Sequence, residues 1–177
     1  MNKILTATFS ILIVCFITNG QITTELTFPD SNLVFKTDSF EGVIYGNNFK
    51  IRQKMDSLKT IEIDPLRIFA KSQNSMRFVP ELESIIQIEK ELKSFMTNKD
   101  IFISDSLNCY TKQYLGYVIG KGDSIIYINC FFDNKIKEQG FWKGNHVLVY
   151  DGWHYYFNVR YNLRTKTFFD LFINGFR

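Results

Sequence analysis

Apolar and polar positions alternate most regularly in the last third of the chain. His146-Val147-Leu148-Val149-Tyr150 and the run from Trp153 to Leu163 flank Asp151-Gly152. Such a pair between alternating runs predicts a two-residue hairpin loop, because a type I′ turn needs positive φ at both central residues. Successive strand side chains point to opposite faces. That loop therefore gathers Leu148, Tyr150, Trp153, Tyr155, Phe157, Val159 and Tyr161 on one face, read as the core face. Val147, Val149, His154, Tyr156, Asn158 and Arg160 fall on the other. A second hairpin is predicted across Gly120-Lys121-Gly122-Asp123. A loop of two or four residues there aligns Leu115, Tyr117 and Ile119 with Ile126, Ile128, Cys130 and Phe132. A three-residue loop, Leu163 to Thr165, then leads into a last strand with Thr167, Phe169, Leu171 and Ile173 on the core face. Phe168 and Phe172 fall on the other face, opposite Arg160 and Tyr156.

Upstream the period changes. Leu82, Ile85, Ile86, Leu92, Phe95 and Met96 recur at helical spacing, with Glu89 closing the stripe. The pattern predicts a helix from Pro80 to Met96, its proline in the first turn where an N–H has no helical partner. A helix of this length is stabilised chiefly by burying its apolar stripe, and the core face of the strands is the receiver. Ile101-Phe102-Ile103 reads as a short strand. Before the helix, Leu33-Val34-Phe35 and Val43-Ile44-Tyr45 read as a hairpin or two short strands. Ile61-Glu62-Ile63 alternates as a strand, and Pro65 to Ala70 suits a helical turn. Gln21 to Asp30 reads as a flexible lead-in and Lys71 to Met76 as a loop. The fold class is α+β: one main helix on a four- to five-stranded antiparallel meander, with a short N-terminal β-containing extension.

The first residues follow another logic. Lys3 precedes an apolar run from Ile4 to Ile17, and Thr18-Asn19-Gly20 supplies small and polar residues. This is the pattern of a secretory signal peptide with cleavage after Gly20, and it is short for a membrane span. The other reading is an uncleaved N-terminal anchor. Three segments result: a leader over 1–20, an extension over 21–78 and a helix-plus-sheet domain over 79–177. The expected location is secreted or periplasmic, with no stable membrane span once the leader is gone.

Composition changes this picture little. The formal net charge is +3, and Lys and Arg are scattered rather than clustered, which gives no footprint for nucleic acid. Beyond the leader, Cys109 and Cys130 form an even pair in an oxidising compartment. The expected register holds them about 13 Å apart, beyond disulfide reach, so the bond is disfavoured. His146 and His154 fall on opposite faces and cannot share a metal or a substrate atom. No catalytic signature, metal motif or phosphate loop is present, and no cofactor is implied. The face carrying Tyr156, Arg160, Phe168, Phe172 and His154 is half apolar, so something should cover it: residues 21–78, a partner, or a second copy in a homodimer.

Lys112-Gln113-Tyr114-Leu115-Gly116-Tyr117, Tyr127-Ile128-Asn129-Cys130, Asp151-Gly152 through Tyr155-Tyr156-Phe157, and Asn174-Gly175 resemble a group of small secreted bacterial proteins of unknown function. A helix followed by such a meander also resembles cystatin-like and NTF2-like folds, over roughly residues 78–177. The resemblance brings no catalytic residue with it. Two functions follow as expectations. One is a small binding module without catalysis, for an unknown protein or small ligand. The other is an NTF2-like pocket enzyme, of isomerase or hydrolase type, using tyrosine hydroxyls and His146.

Overall fold

The computed structural model describes residues 11–17, 20–27, 30–54, 60–70, 75–99, 103–120, 122–149 and 151–175. Strands β1 (Ile11–Ile17), β2 (Gly20–Thr27), β3 (Asn32–Lys36) and β4 (Glu41–Ile44) pair in sequence, each antiparallel to the next. Strands β5 (Ile51–Lys54) and β6 (Thr60–Ile63) form a separate ribbon before helix α1 (Pro65–Phe69). Strand β7 (Met76–Phe78) leads to helix α2 (Leu82–Asn98). Then come β8 (Thr111–Ile119), β9 (Asp123–Phe131), helix α3 (Asn134–Gln139), β10 (Tyr156–Asn162) and β11 (Thr167–Ile173). The main sheet runs β1-β2-β3-β4-β8-β9-β10-β11, with β7 paired to β8 beyond the end of β4. The class is α+β with a mostly antiparallel sheet. The one parallel pair among the described residues, β4 with β8, joins the N-terminal strands to the C-terminal ones.

Several elements carry their cause in the sequence. The Asp64 side chain accepts the N–H of Leu66 and Pro65 takes the first helical position, which starts α1 as the sequence predicts. Asp133 caps α3 in the same way, and Gly140 ends it in the left-handed region at φ 66. Helix α2 begins two residues later than predicted, with Glu81 as its cap and Pro80 buried before it. Its buried stripe is Ile85, Ile88, Leu92 and Met96, so Ile88 takes the place expected for Ile86. Gln21 to Asp30, expected as a lead-in, supplies most of strand β2 instead, and its Ile22 is buried. Ile101 and Phe102, residues 71–74, and residues 1–10 and 18–19 of the expected leader lie outside the described residues.

Both faces of the sheet are covered. Helix α2 lays its stripe on Tyr114, Ile126, Ile128, Cys130, Phe157, Val159 and Tyr161. On the other face Phe49, Phe69, Trp142 and Val147 pack on Leu115, Tyr117, Tyr127 and Phe131. Burial on both sides removes the rule that sets register, and two predicted loops change length accordingly. Ile119 pairs with Asp123 across three residues, which places Tyr114 opposite Ile128 and Tyr117 opposite Ile125. Asn162 pairs with Thr167 across four residues, which turns Phe168 toward Tyr161 on the helix-covered face. Arg160 therefore faces Phe169, and Asn158 faces Phe172. The register slips by one between those pairs, where Asp170 has φ 50. That bulge returns Leu171 and Ile173 to the first core.

The Asp-Gly hairpin does not form. Residues 146–149 belong to no helix or strand, Tyr150 lies outside the described residues, and β10 pairs with β9 and β11 instead. Gly152 has φ −114, and the positive φ of 48 belongs to Trp153. Leu148, Trp153 and Tyr155 of the expected core face are exposed, while Phe157, Val159 and Tyr161 are buried. Gly152 is required for another reason, because a Cβ there would enter the Tyr156 ring. Gly152→Ala is expected to lower stability by about 1–3 kcal/mol, the cost of overpacking a filled site. Urea unfolding checks it, and an unchanged midpoint would mean that the ring is seated elsewhere.

Candidate binding groove and the polar groups behind it

Three polar assemblies stand out, two buried and one open. The first lies under α2. Lys112 and Glu89 form an ion pair of 3.0 Å with side-chain exposures of 1% and 9%. Lys112 Nζ also donates to the Leu107 carbonyl at 3.0 Å and stands over the Phe40 ring. The Tyr114 hydroxyl donates to the second Glu89 oxygen at 2.8 Å. Burial and the neighbouring carboxylate push the Tyr114 pKa far above its ordinary value, so it stays a donor. Burial likewise raises the Cys130 thiol, which is inert in this setting. Cys109 is exposed and Cys130 buried, and both are free thiols.

The second assembly holds the 142–147 segment against the other face. Gln113 Nε2 donates to the carbonyls of Trp142 and Asn145, at 2.9 and 2.8 Å. Gln113 Oε1 accepts from Asn129 Nδ2 and from the Val147 N–H, both at 2.9 Å. Asn129 in turn donates to the Val147 carbonyl at 2.8 Å. Beside them the half-buried His146 ring stands against Phe69 and Tyr127. Arg160 donates to the Tyr117 hydroxyl at 3.0 Å and pairs with Asp170 at 2.8 Å.

Desolvation lowers the His146 pKa from 6.5 to about 4. The unfolded chain then binds the extra proton between those values, so stability rises with pH across that window and is complete above about 6.5. The expected loss between pH 7 and pH 4.5 is about 1–3 kcal/mol from this residue. Thermal unfolding of the wild type and of His146→Asn at the two pH values checks it. Equal pH slopes would remove the effect.

The open site runs along α2. A groove of about 590 Å³ lies between the second half of the helix and the β10–β11 hairpin, lined by Lys90, Glu91, Phe95, Asn98, Lys166 and Phe168 among others. A second hollow of about 380 Å³ continues it toward Glu83, Gln87, Tyr161 and Leu163, and shares Glu91 and Lys166 with it. The floor is aromatic, with the Phe95 and Phe168 rings stacked at 4.9 Å and Tyr161 at 4.7 Å from Phe168. Glu91 is already committed. One oxygen accepts the Tyr161 hydroxyl at 2.5 Å and the other Gln87 Nε2 at 3.0 Å, and the tyrosine bond holds its pKa below the usual range. Lys90 and Lys166 are exposed on the rim and make no salt bridge among the described residues.

Protein-family models, curated proteins and solved structures yield no match to this chain. The site therefore stands on its own geometry. Among the described residues no group of three or more His, Cys, Asp or Glu could hold a metal ion, and no helix is long and apolar enough to cross a membrane.

The residues expected to share one surface do not. Phe168 faces α2 with Phe95, whereas Arg160 and Tyr156 face the second core. Tyr156 is half-buried and donates to Asp133 at 2.7 Å. Phe172 is 56% exposed. His154 stands between Trp153 and Tyr155, away from the rings that hold His146. Lys90, Lys166, Phe95 and the Glu89–Lys112 pair were not predicted as site residues. Glu89 carried the one available signal, a carboxylate inside an apolar helical stripe.

Proposed function

We propose that the chain is a small secreted binding module without catalysis, holding its ligand in the groove between α2 and the β10–β11 hairpin. The observation that carries this is the groove itself: an aromatic floor with Lys90 and Lys166 on its rim, neither in a salt bridge among the described residues. That chemistry suits a ligand with an apolar or aromatic body and a carboxylate or phosphate. Of the tyrosines that an enzyme could use, Tyr117, Tyr155 and Tyr161, the Tyr117 hydroxyl is engaged by Arg160 and that of Tyr161 by Glu91, and His146 faces rings, which favours this over a pocket enzyme. Helix α2 against β8–β11 supports a cystatin-like or NTF2-like arrangement for that part of the chain. The Lys3, apolar-run and Gly20 pattern supports export with removal of residues 1–20. The test is calorimetric titration with octanoate and phenylpropionate as probes. Binding that falls at least about tenfold in a Lys90→Glu, Lys166→Glu variant supports the reading, since each tenfold is 1.4 kcal/mol. Binding unchanged in that variant but lost in His146→Ala would favour the enzyme instead.

A further inference from the structure

We propose that, once residues 1–20 are removed, two copies of the chain pair edge to edge through β2, around a two-fold axis at Thr24. The inference rests on the leader reading above. In the full chain β1 covers the outer edge of β2 over seven residue pairs, from Ile11–Leu26 to Ile17–Gly20. Cleavage after Gly20 takes that whole strand away. The backbone N–H and C=O groups on that side of β2 lose their ladder, and such an edge is a template for another strand.

The two edges of the sheet are built differently. At the far edge β11 bulges at Asp170, whose carboxylate holds Arg160 at 2.8 Å. A bulge and a charge on an edge strand are devices that block further pairing. β2 has no bulge between Ile22 and Thr27: its pairing to β3 is unbroken from Thr23–Lys36 to Thr27–Asn32, the sequence there holds no Pro or Lys, and its one charge, Glu25, is held by Lys143 on the face away from α2.

A second copy fits this edge by its own sequence. In an antiparallel pair centred on Thr24, Ile22 meets the partner's Leu26 and Thr23 meets the partner's Glu25. Thr24 and Leu26 pair with Phe35 and Leu33 of β3, which belong to the α2-covered face. Alternation puts Ile22 on that face too. A two-fold axis perpendicular to the sheet keeps the face common to both copies, so the apolar pairs extend one core into the other. Glu25 meets a threonine rather than its own copy, and Lys143 of the same chain holds it at 2.9 Å. No like charges oppose one another.

The experiment is intact mass and sedimentation equilibrium on the chain exported with its own leader. The expected result is a mass beginning at Gln21 and a concentration-dependent dimer. Thr24→Lys and Thr24→Glu, which set like charges against each other at the axis, are each expected to weaken association by about tenfold or more. An equimolar mixture of the two restores it. Thr24→Cys is expected to give a disulfide-linked dimer on oxidation, since directly opposed residues lie within disulfide reach. A chain that begins at Gln21 and stays monomeric overturns the dimer and leaves the leader reading standing. A mass that retains residues 1–20 overturns both. A dimer indifferent to Thr24→Lys, with no crosslink from Thr24→Cys, places the contact elsewhere and overturns the inference.

Discussion

Lys112→Ala is expected to cost on the order of 3–5 kcal/mol of folding stability, the range for removing one partner of a buried ion pair. The lysine ends in a buried site. Its ammonium is shared among the Glu89 carboxylate, the Leu107 carbonyl and the Phe40 ring, with 1% of the side chain exposed. Removing it leaves Glu89 under α2 with Tyr114 as its remaining partner. Glu89→Ala leaves the opposite charge and is expected to be of similar size. The pair Lys112→Met with Glu89→Leu is expected to recover most of the loss, because a well-packed apolar replacement is often neutral or stabilising. Urea unfolding of the wild type, Lys112→Met, Glu89→Leu and the double variant forms a closed cycle. Additive losses would show that the two residues do not act on each other in the fold.

Gln113→Leu is the second large effect, expected at about 2–4 kcal/mol, since each stranded buried group costs about 1–3 kcal/mol. Four bonds end on this one side chain, and three of them hold the 142–147 segment. Leucine matches the shape and satisfies none of them. The segment is expected to loosen from the second face while α2 and the first core remain. Hydrogen exchange separates the two: faster exchange at Val147 with protection kept in α2 is the expected pattern. The His146 ring loses its cover in the same variant, so its pKa should climb from about 4 back toward 6.5, which NMR titration reads directly. A Gln113→Leu chain with unchanged exchange at Val147 would mean that apolar packing of Trp142 and Val147 alone seats the segment.

The α+β class, helix α2, the β3–β4 pair and the Asp64-Pro65 start of α1 were legible because each has a local cause. Period, cap and proline geometry act within a few residues. Register was not legible, and the reason is particular. In β8, Lys112 through Tyr117 are buried without alternation, and in β9 Ile125 through Phe131 are too. A strand covered on both faces carries no parity. The bulge at Asp170 then reversed parity once more within β11. Asp151-Gly152 has the sequence of a tight hairpin, yet tertiary pairing of β10 with β9 overrode it. The groove was half legible. Phe95 was placed on the helix stripe, but Phe168 was assigned to the wrong face, so the floor they form together could not be seen.

The most direct measurement is a nitrogen-15 NMR titration of the chain beginning at Gln21 with octanoate and phenylpropionate. Binding in the groove is expected to move the amides of Ser94, Asn98 and Thr167, and to leave those of Tyr127 and His146 in place. Shifts centred on His146 and Tyr127, with the groove amides still, would contradict a binding site between α2 and the β10–β11 hairpin.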